Sequence, residues 1–246
     1  MPSVQVLEHS RLQRCVAEAV GTALLLATVV GSGIMAERLA GGNVAIALLA
    51  NTLATGGALV ALILTFGPIS GAHFNPAVSL AAATEGAFAW RDVPFFVLAQ
   101  VAGAFLGVAT AHLMFEEPLF FASQHVRSGP SQWLSEFVAT FGLLSVIWGV
   151  SRRHAQFVPF AVASYITAAY WFTASTSFAN PAVTLARAAS NTFAGIRPAD
   201  APAFIVAQLV GAIAATLLFR WLLPPASRLK QPASTETELA TEREAA

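Results

Sequence analysis

Two short runs carry the residue types that could do chemistry on a small polar molecule: Asn75-Pro76-Ala77-Val78 and Asn180-Pro181-Ala182-Val183. Proline suits a helix's first turn, because its missing N–H has no intrahelical partner there. Each run therefore predicts a helix start with an asparagine amide beside it. Helix N-termini also expose unpaired N–H groups and the positive end of the dipole. Such a site exchanges hydrogen bonds with neutral solutes and repels cations, hydrated protons included. No covalent chemistry is implied. The sequence holds no glycine-rich phosphate loop after a strand, no Ser-His-Asp arrangement and no metal-ligand cluster, which argues against an enzyme or a cofactor site. Cys15 is the only cysteine, so neither a disulfide framework nor a cysteine-based metal site is possible within the chain.

The elements that must position these runs follow from composition. Of 246 residues, 56% are hydrophobic and 11% charged, against a charged share of about 25% in soluble domains. Spanning a hydrocarbon layer takes about 20 apolar residues. The low-charge stretches predict six spans, near 15–35, 44–66, 93–115, 132–150, 157–175 and 202–222, in one domain over residues 1–225. The apolar run from Val16 contains Glu18 and passes signal-peptide length without an Ala-x-Ala end, so it reads as a retained first span. Stretches 75–85 and 180–190 are too short to cross and read as half-helices. Residues 226–246 form a polar tail expected to be disordered. The net charge is zero, and no basic patch suited to nucleic acid stands out. Arg11, Arg14, Arg91, Arg152, Arg153, Arg220, Arg228, Lys230 and Arg243 fall on one side, and Arg38, Arg127, Arg187 and Arg197 on the other. The positive-inside rule then puts both termini in the cytoplasm of a plasma-membrane protein.

The halves repeat, with a first repeat at about 12–115 and a second at about 131–223. Glu18 in Ala-Glu-Ala-Val-Gly-Thr answers Glu136 in Ser-Glu-Phe-Val-Ala-Thr, and Gln100 in Ala-Gln-Val-Ala-Gly-Ala answers Gln208 in Ala-Gln-Leu-Val-Gly-Ala. Three spans per half invert the second half relative to the first, an arrangement that places a permeation site near the midplane. Non-helical backbone at that depth needs protein or a water-filled cavity around it. The residues before each half-helix, Gly71–Phe74 and Thr176–Ala179, are expected to be extended, with the carbonyls of Ala72, His73, Phe74, Phe178 and Ala179 forming ladders of acceptors. A neutral hydroxylated molecule would be solvated along such a track, whereas an ion would lose its hydration without adequate return.

The Gly71-Ala72-His73-Phe74-Asn75-Pro76-Ala77-Val78 run, the second Asn-Pro-Ala, the two glutamates and the two glutamines together resemble the aquaporin and glycerol-facilitator family over nearly the whole chain. The resemblance implies an all-α, right-handed bundle of six spanning helices and two re-entrant half-helices. It also implies one pore per protomer, a homotetramer in a lipid bilayer, and passive passage of small neutral solutes. By the family's spacing, Glu18 and Glu136 brace the re-entrant loops, and the outer filter falls at Thr55, Ala168, Ser177 and Val183. Most members carry an arginine at the position of Val183. Here the filter lacks that fixed charge and reads as wider, similar to bacterial aquaglyceroporins associated with arsenic resistance. Arsenite, antimonite and methylated arsenicals join glycerol-like polyols as expected solutes. An ordinary water or glycerol channel is the alternative. A coupled transporter, which inverted repeats also build, and a closed junction protein are the remaining readings.

Arg187 follows Val183 by one helical turn, about 6 Å farther along the half-helix. It either charges an outer vestibule, or snorkels to the interface or pairs with a loop carboxylate. His73 reads as a loop brace or a protonation gate, and His112 as a packing or interface residue. Gly21, Gly31, Gly33, Gly57, Gly103, Gly107, Gly142 and Gly211 are expected at close helix contacts.

Overall fold

Capping residues and prolines set the helix boundaries. The computed structural model describes residues 9–223, so the expected disordered tail, with Arg228, Lys230 and Arg243, lies outside the described residues. Helix α1 (Arg11–Leu39) starts at a capping box: the Gln13 N–H donates to Ser10 Oγ at 3.2 Å, and the Ser10 N–H to Gln13 Oε1 at 2.8 Å. Helix α2 (Val44–Ser70) is capped by Asn43 and ends at Gly71, whose φ of 94° lies in the left-handed region glycine tolerates. The half-helices are α3 (Pro76–Thr84) and α7 (Pro181–Arg187). Helices α4 (Val93–Met114), α5 (Pro130–His154), α6 (Val158–Phe172) and α8 (Ala201–Leu222) each carry a proline in the first turn.

Five stretches are long and apolar enough to cross a membrane, and one of them, Pro130–Phe172, has 43 residues. At about 1.5 Å per residue that is roughly twice a hydrocarbon thickness. It divides at the 3-10 turn Ala155–Phe157 into α5 and α6, which gives the six spanning helices. Boundaries differ from the sequence expectation at several ends: α1 spans Arg11–Leu39 rather than 15–35, α5 runs to His154 rather than 150, and two others shift where the chain breaks for re-entry. Helix α2 runs to Ser70 rather than 66, and α6 stops at Phe172 rather than 175 because Thr173 is already extended.

The halves pack as equivalents. Helix α1 lies against α4 and α2, α5 against α8 and α6, and α2 against α6 across the repeat. Each half-helix touches the last helix of both halves, α3 and α7 alike meeting α4 and α8. Outward faces carry exposed leucines and isoleucines such as Leu53, Leu98, Leu106 and Ile213, while Glu18, Gln100, Glu136 and Gln208 are fully buried. This inside-out polarity is what a lipid solvent selects.

Glycines at matching places in the two halves hold close helix crossings. A Cβ at Gly103 would sit 2.2 Å from the Ala19 carbonyl oxygen, and one at Gly211 2.5 Å from that of Phe137. The α1–α4 and α5–α8 contacts are thus backbone to backbone, at matching places in the two halves. Gly57 differs from the expectation: nothing lies within 4 Å of its missing side chain, because it faces a lipid-side groove and not a helix contact. Gly103→Val should overpack the α1–α4 crossing and cost about 1–3 kcal/mol, read as a lower Tm of the detergent-solubilised protein, while Gly57→Ala does not lower Tm.

Candidate functional site

The half-helices meet head to head, and their asparagines join them. Asn75 Oδ1 accepts the Ala77 N–H at 2.9 Å, and Asn180 Oδ1 accepts those of Ala182 and Val183 at 3.0 and 3.3 Å. Each asparagine thereby caps its own helix. Asn75 Nδ2 then donates to the Ala179 carbonyl and Asn180 Nδ2 to the Phe74 carbonyl, both at 2.7 Å. An amide nitrogen has two donors, so each asparagine keeps one N–H beyond its cross-link.

The loops leading to these caps are not extended throughout, contrary to the expectation from sequence. Gly71, Ala72 and Phe74 have positive φ, as do Thr176, Ser177 and Ala179. Non-glycine residues rarely adopt this conformation, and they persist in it only where surroundings over-determine them. The surroundings here are two buried carboxylates. Glu18 Oε1 accepts from the His73 N–H at 2.9 Å and Ser70 Oγ at 2.6 Å; its Oε2 accepts from the Phe74 N–H at 2.7 Å and Gln100 Nε2 at 2.8 Å. Glu136 repeats the pattern, accepting from the Phe178 and Ala179 N–H groups at 2.9 Å each and from Gln208 Nε2 at 2.6 Å. Gln100 and Gln208 also reach Ser79 Oγ and Thr184 Oγ1, both at 2.9 Å, tying the half-helices to α4 and α8. Ser79 and Thr184 were missed in the sequence, although a hydroxyl follows both Asn-Pro-Ala-Val runs. His73 Nδ1 lies 3.0 Å from Ser79 Oγ, and the ring packs against Phe88 and Phe96. His112 is buried, with Nε2 2.9 Å from Ser190 Oγ.

A cavity of about 340 Å³ runs past both asparagines. One side is apolar, with Leu25, Val29, Leu59, Ile63, Leu143 and Ile166. The other is polar, formed by Gly71–Asn75 and Ser177–Asn180.

A sequence profile of the Major intrinsic protein family matches residues 5–177 and 150–245. The chain belongs to the major intrinsic protein family. It is 58% identical to "Aquaglyceroporin AqpS" of Rhizobium meliloti (strain 1021) over 230 residues, 94% of this chain and 98% of that relative. It is 28% identical to "Probable aquaporin NIP-type" of Nicotiana alata over 236 residues, 93% and 84% of the two chains. The X-ray structure of the aquaglyceroporin from Plasmodium falciparum shares its fold, with a TM-score of 0.66 over 87% of this chain and 98% of that one at 22% identity. This member of the family is accordingly a multi-pass membrane channel protein and not an enzyme.

Three of the four filter positions read from the family's spacing, Thr55, Ser177 and Val183, line the cavity. Ala168 does not. It is exposed and lines a groove with Thr167, Trp171, Gly56 and Gly57 on the outer side of α2 and α6. The cavity face of α6 is Val158, Val162, Ile166 and Tyr170, spaced four apart; a residue two positions from Tyr170 is turned about 200° away. Tyr170 is the residue of that stretch which faces the cavity instead, with Oη 3.4 Å from Thr55 Oγ1.

Arg187 neither snorkels nor meets a carboxylate among the described residues. It is 2% exposed, its Nε donates to the Ala194 carbonyl, its guanidinium carbon lies 3.3 Å from the Phe178 ring centre, and it lines the cavity. Arg127, read in the sequence only as one of the outer-side charges, donates to the carbonyls of Gly195 at 2.8 Å and Ser175 at 3.1 Å beside the same ring. Burial pulls its pKa below the ordinary arginine value, and the Glu136 carboxylate opposes that pull.

Glu136→Gln puts an N–H2 where an oxygen now accepts. At least one charge-assisted bond, at about 1.5–3 kcal/mol, is lost and a backbone N–H is orphaned. Both Tm and solute flux per reconstituted protein should fall, and Thr28→Ala, whose hydroxyl bonds only its own helix, should change neither.

Proposed function

We propose that this family member is a passive channel for small uncharged solutes whose inner filter ring, Thr55, Ser177 and Val183, is uncharged and wide. The observation that carries the reading is Val183: it stands on the cavity wall at the third position of α7, against two hydroxyl-bearing residues. A branched aliphatic side chain there neither charges nor fills the constriction as a guanidinium would. The two-sided cavity suits molecules with hydroxyls on one flank and C–H or a heavy atom on the other. Hydroxyls exchange water for the spare asparagine N–H groups and the loop carbonyls, while the apolar wall receives the remainder. The Phe74 and Ala179 carbonyls already accept one bond each and retain a second lone pair.

The solutes assigned are arsenite and antimonite as neutral trihydroxides, methylated arsenicals and glycerol-like polyols. Arsenous acid is uncharged at neutral pH and has glycerol's hydroxyl pattern. The likeness to the rhizobial aquaglyceroporin extends over 94% of this chain and favours glycerol-like polyols over water alone. The outward end of the cavity is the Arg187 end, with both termini in the cytoplasm of the plasma membrane and four protomers per assembly, each with its own pore. A coupled transporter would need an ion-coordinating midplane; here it offers two neutral amides and carbonyls.

In proteoliposomes, stopped-flow swelling should show glycerol and arsenous acid entering through the native protein. Val183→Arg should exclude both while water still passes, because the added guanidinium narrows the ring. Unchanged glycerol and arsenous acid entry in that variant would overturn the assignment of Val183 to the filter.

A further inference from the structure

Arg187 is held in an unusual way for a charge at membrane depth. Among the described residues no carboxylate lies within 4.0 Å of it. Only its Nε has a protein acceptor, the Ala194 carbonyl. Its two Nη groups bond no protein acceptor among the described residues, yet they are not among the polar atoms sealed from solvent without a partner. Since the side chain lines the cavity, those four N–H donors open into it. A buried cation without a counter-ion is costly. Stacking on the electron-rich face of Phe178 offsets part of that cost, and the face contact also fixes the direction of the fork.

The groups around the fork match it. Tyr170, Thr55 and Ser177 share the cavity wall with Arg187, and Thr55 and Tyr170 place their hydroxyls 3.4 Å apart. The loop that follows α7 exists in the form needed to hold the arginine: Ile196 N–H bonds the Arg187 carbonyl at 3.4 Å, and the Thr192 carbonyl accepts the Gly195 N–H at 2.9 Å, turning Ala194 back toward α7. Arg127 adds a second guanidinium beside Phe178, itself bound to two loop carbonyls.

We propose that Arg187 and Tyr170 form an outer selectivity ring, one helical turn beyond Val183, which excludes protons and metal cations and hydrogen-bonds the oxygens of entering neutral hydroxides. The proposal rests on the channel reading above and changes its description: the filter charge is displaced outward. The inner ring can then stay uncharged, because exclusion of cations is carried by Arg187 farther out. Donors on Arg187 and the hydroxyl of Tyr170 suit a solute rich in acceptor oxygens.

The test uses the full-length protein in proteoliposomes, with proton entry under an imposed potential read by an internal pH dye and glycerol entry read by swelling. Arg187→Gln should raise proton leak by about tenfold or more, since a unit charge within a few ångströms of the path is removed, and should lower glycerol entry relative to water. Tyr170→Phe keeps the ring's packing and the charge, so its leak stays at the native level while its glycerol entry falls. An Arg187→Gln channel with native proton leak overturns the proposal and leaves the channel reading standing. A native protein that passes no glycerol or arsenous acid overturns the channel reading instead. Should Arg187→Gln not fold, Arg187→Lys decides: it must keep protons out and pass less glycerol, and a leak, or unaltered glycerol entry, overturns the proposal.

Discussion

A backbone that leaves its helix in the middle of a hydrocarbon layer must find partners for its N–H groups within the protein, because lipid supplies none. In this chain that constraint is met by two carboxylates. Glu18 and Glu136, each fully buried, receive the N–H groups of His73 and Phe74 and of Phe178 and Ala179. Everything else about the pathway follows from those bonds. They hold Ala72, Phe74, Ser177 and Ala179 in left-handed conformations that such residues rarely adopt. They deliver the Phe74 and Ala179 carbonyls to the asparagine of the opposite half, so that each half of the molecule completes the other.

The arrangement also separates rigidity from selectivity. The bracing network of glutamate, glutamine and hydroxyl lies behind the half-helices, between them and α1, α4, α5 and α8. The cavity-facing surface is made of the side chains that α1, α2, α3, α5, α6 and α7 present. Thr55, Tyr170, Val183 and Arg187 line the cavity and take no part in the glutamate bonds that hold the re-entrant loops. An inverted repeat with a constant brace and variable lining is a physical route by which one fold serves several solutes.

Much of this was legible in the sequence because the brace is made of residues that are anomalous in apolar spans. A glutamate or glutamine in a membrane helix needs a partner, and finding each twice at corresponding places pointed to the repeat, while the two Asn-Pro-Ala runs pointed to the two short helices. What failed to read depends on where helices stop and loops fold. Ala168 was placed in the filter by spacing alone. Helix α6 ends at Phe172, and its cavity face, set by Val162 and Ile166, brings Tyr170 inward instead. The left-handed residues could not be read either, since alanine, phenylalanine and serine carry no signal for positive φ; only the tertiary bonds to the glutamates impose it. Arg187 was visible as the difference between the two copies. Its direction was not, because it is set by the turn at residues 192–196 that returns Ala194 to the half-helix.

The central claim is that the braced half-helices enclose a continuous polar path for neutral solutes. The most direct measurement is the activation energy of glycerol entry into proteoliposomes containing the native protein, compared with protein-free vesicles of the same lipid. A path already lined with hydrogen-bond partners predicts a value near that of diffusion in water, with no saturation and no dependence on the cation present. An activation energy equal to that of the bare bilayer, or entry that saturates and requires an ion, would contradict it.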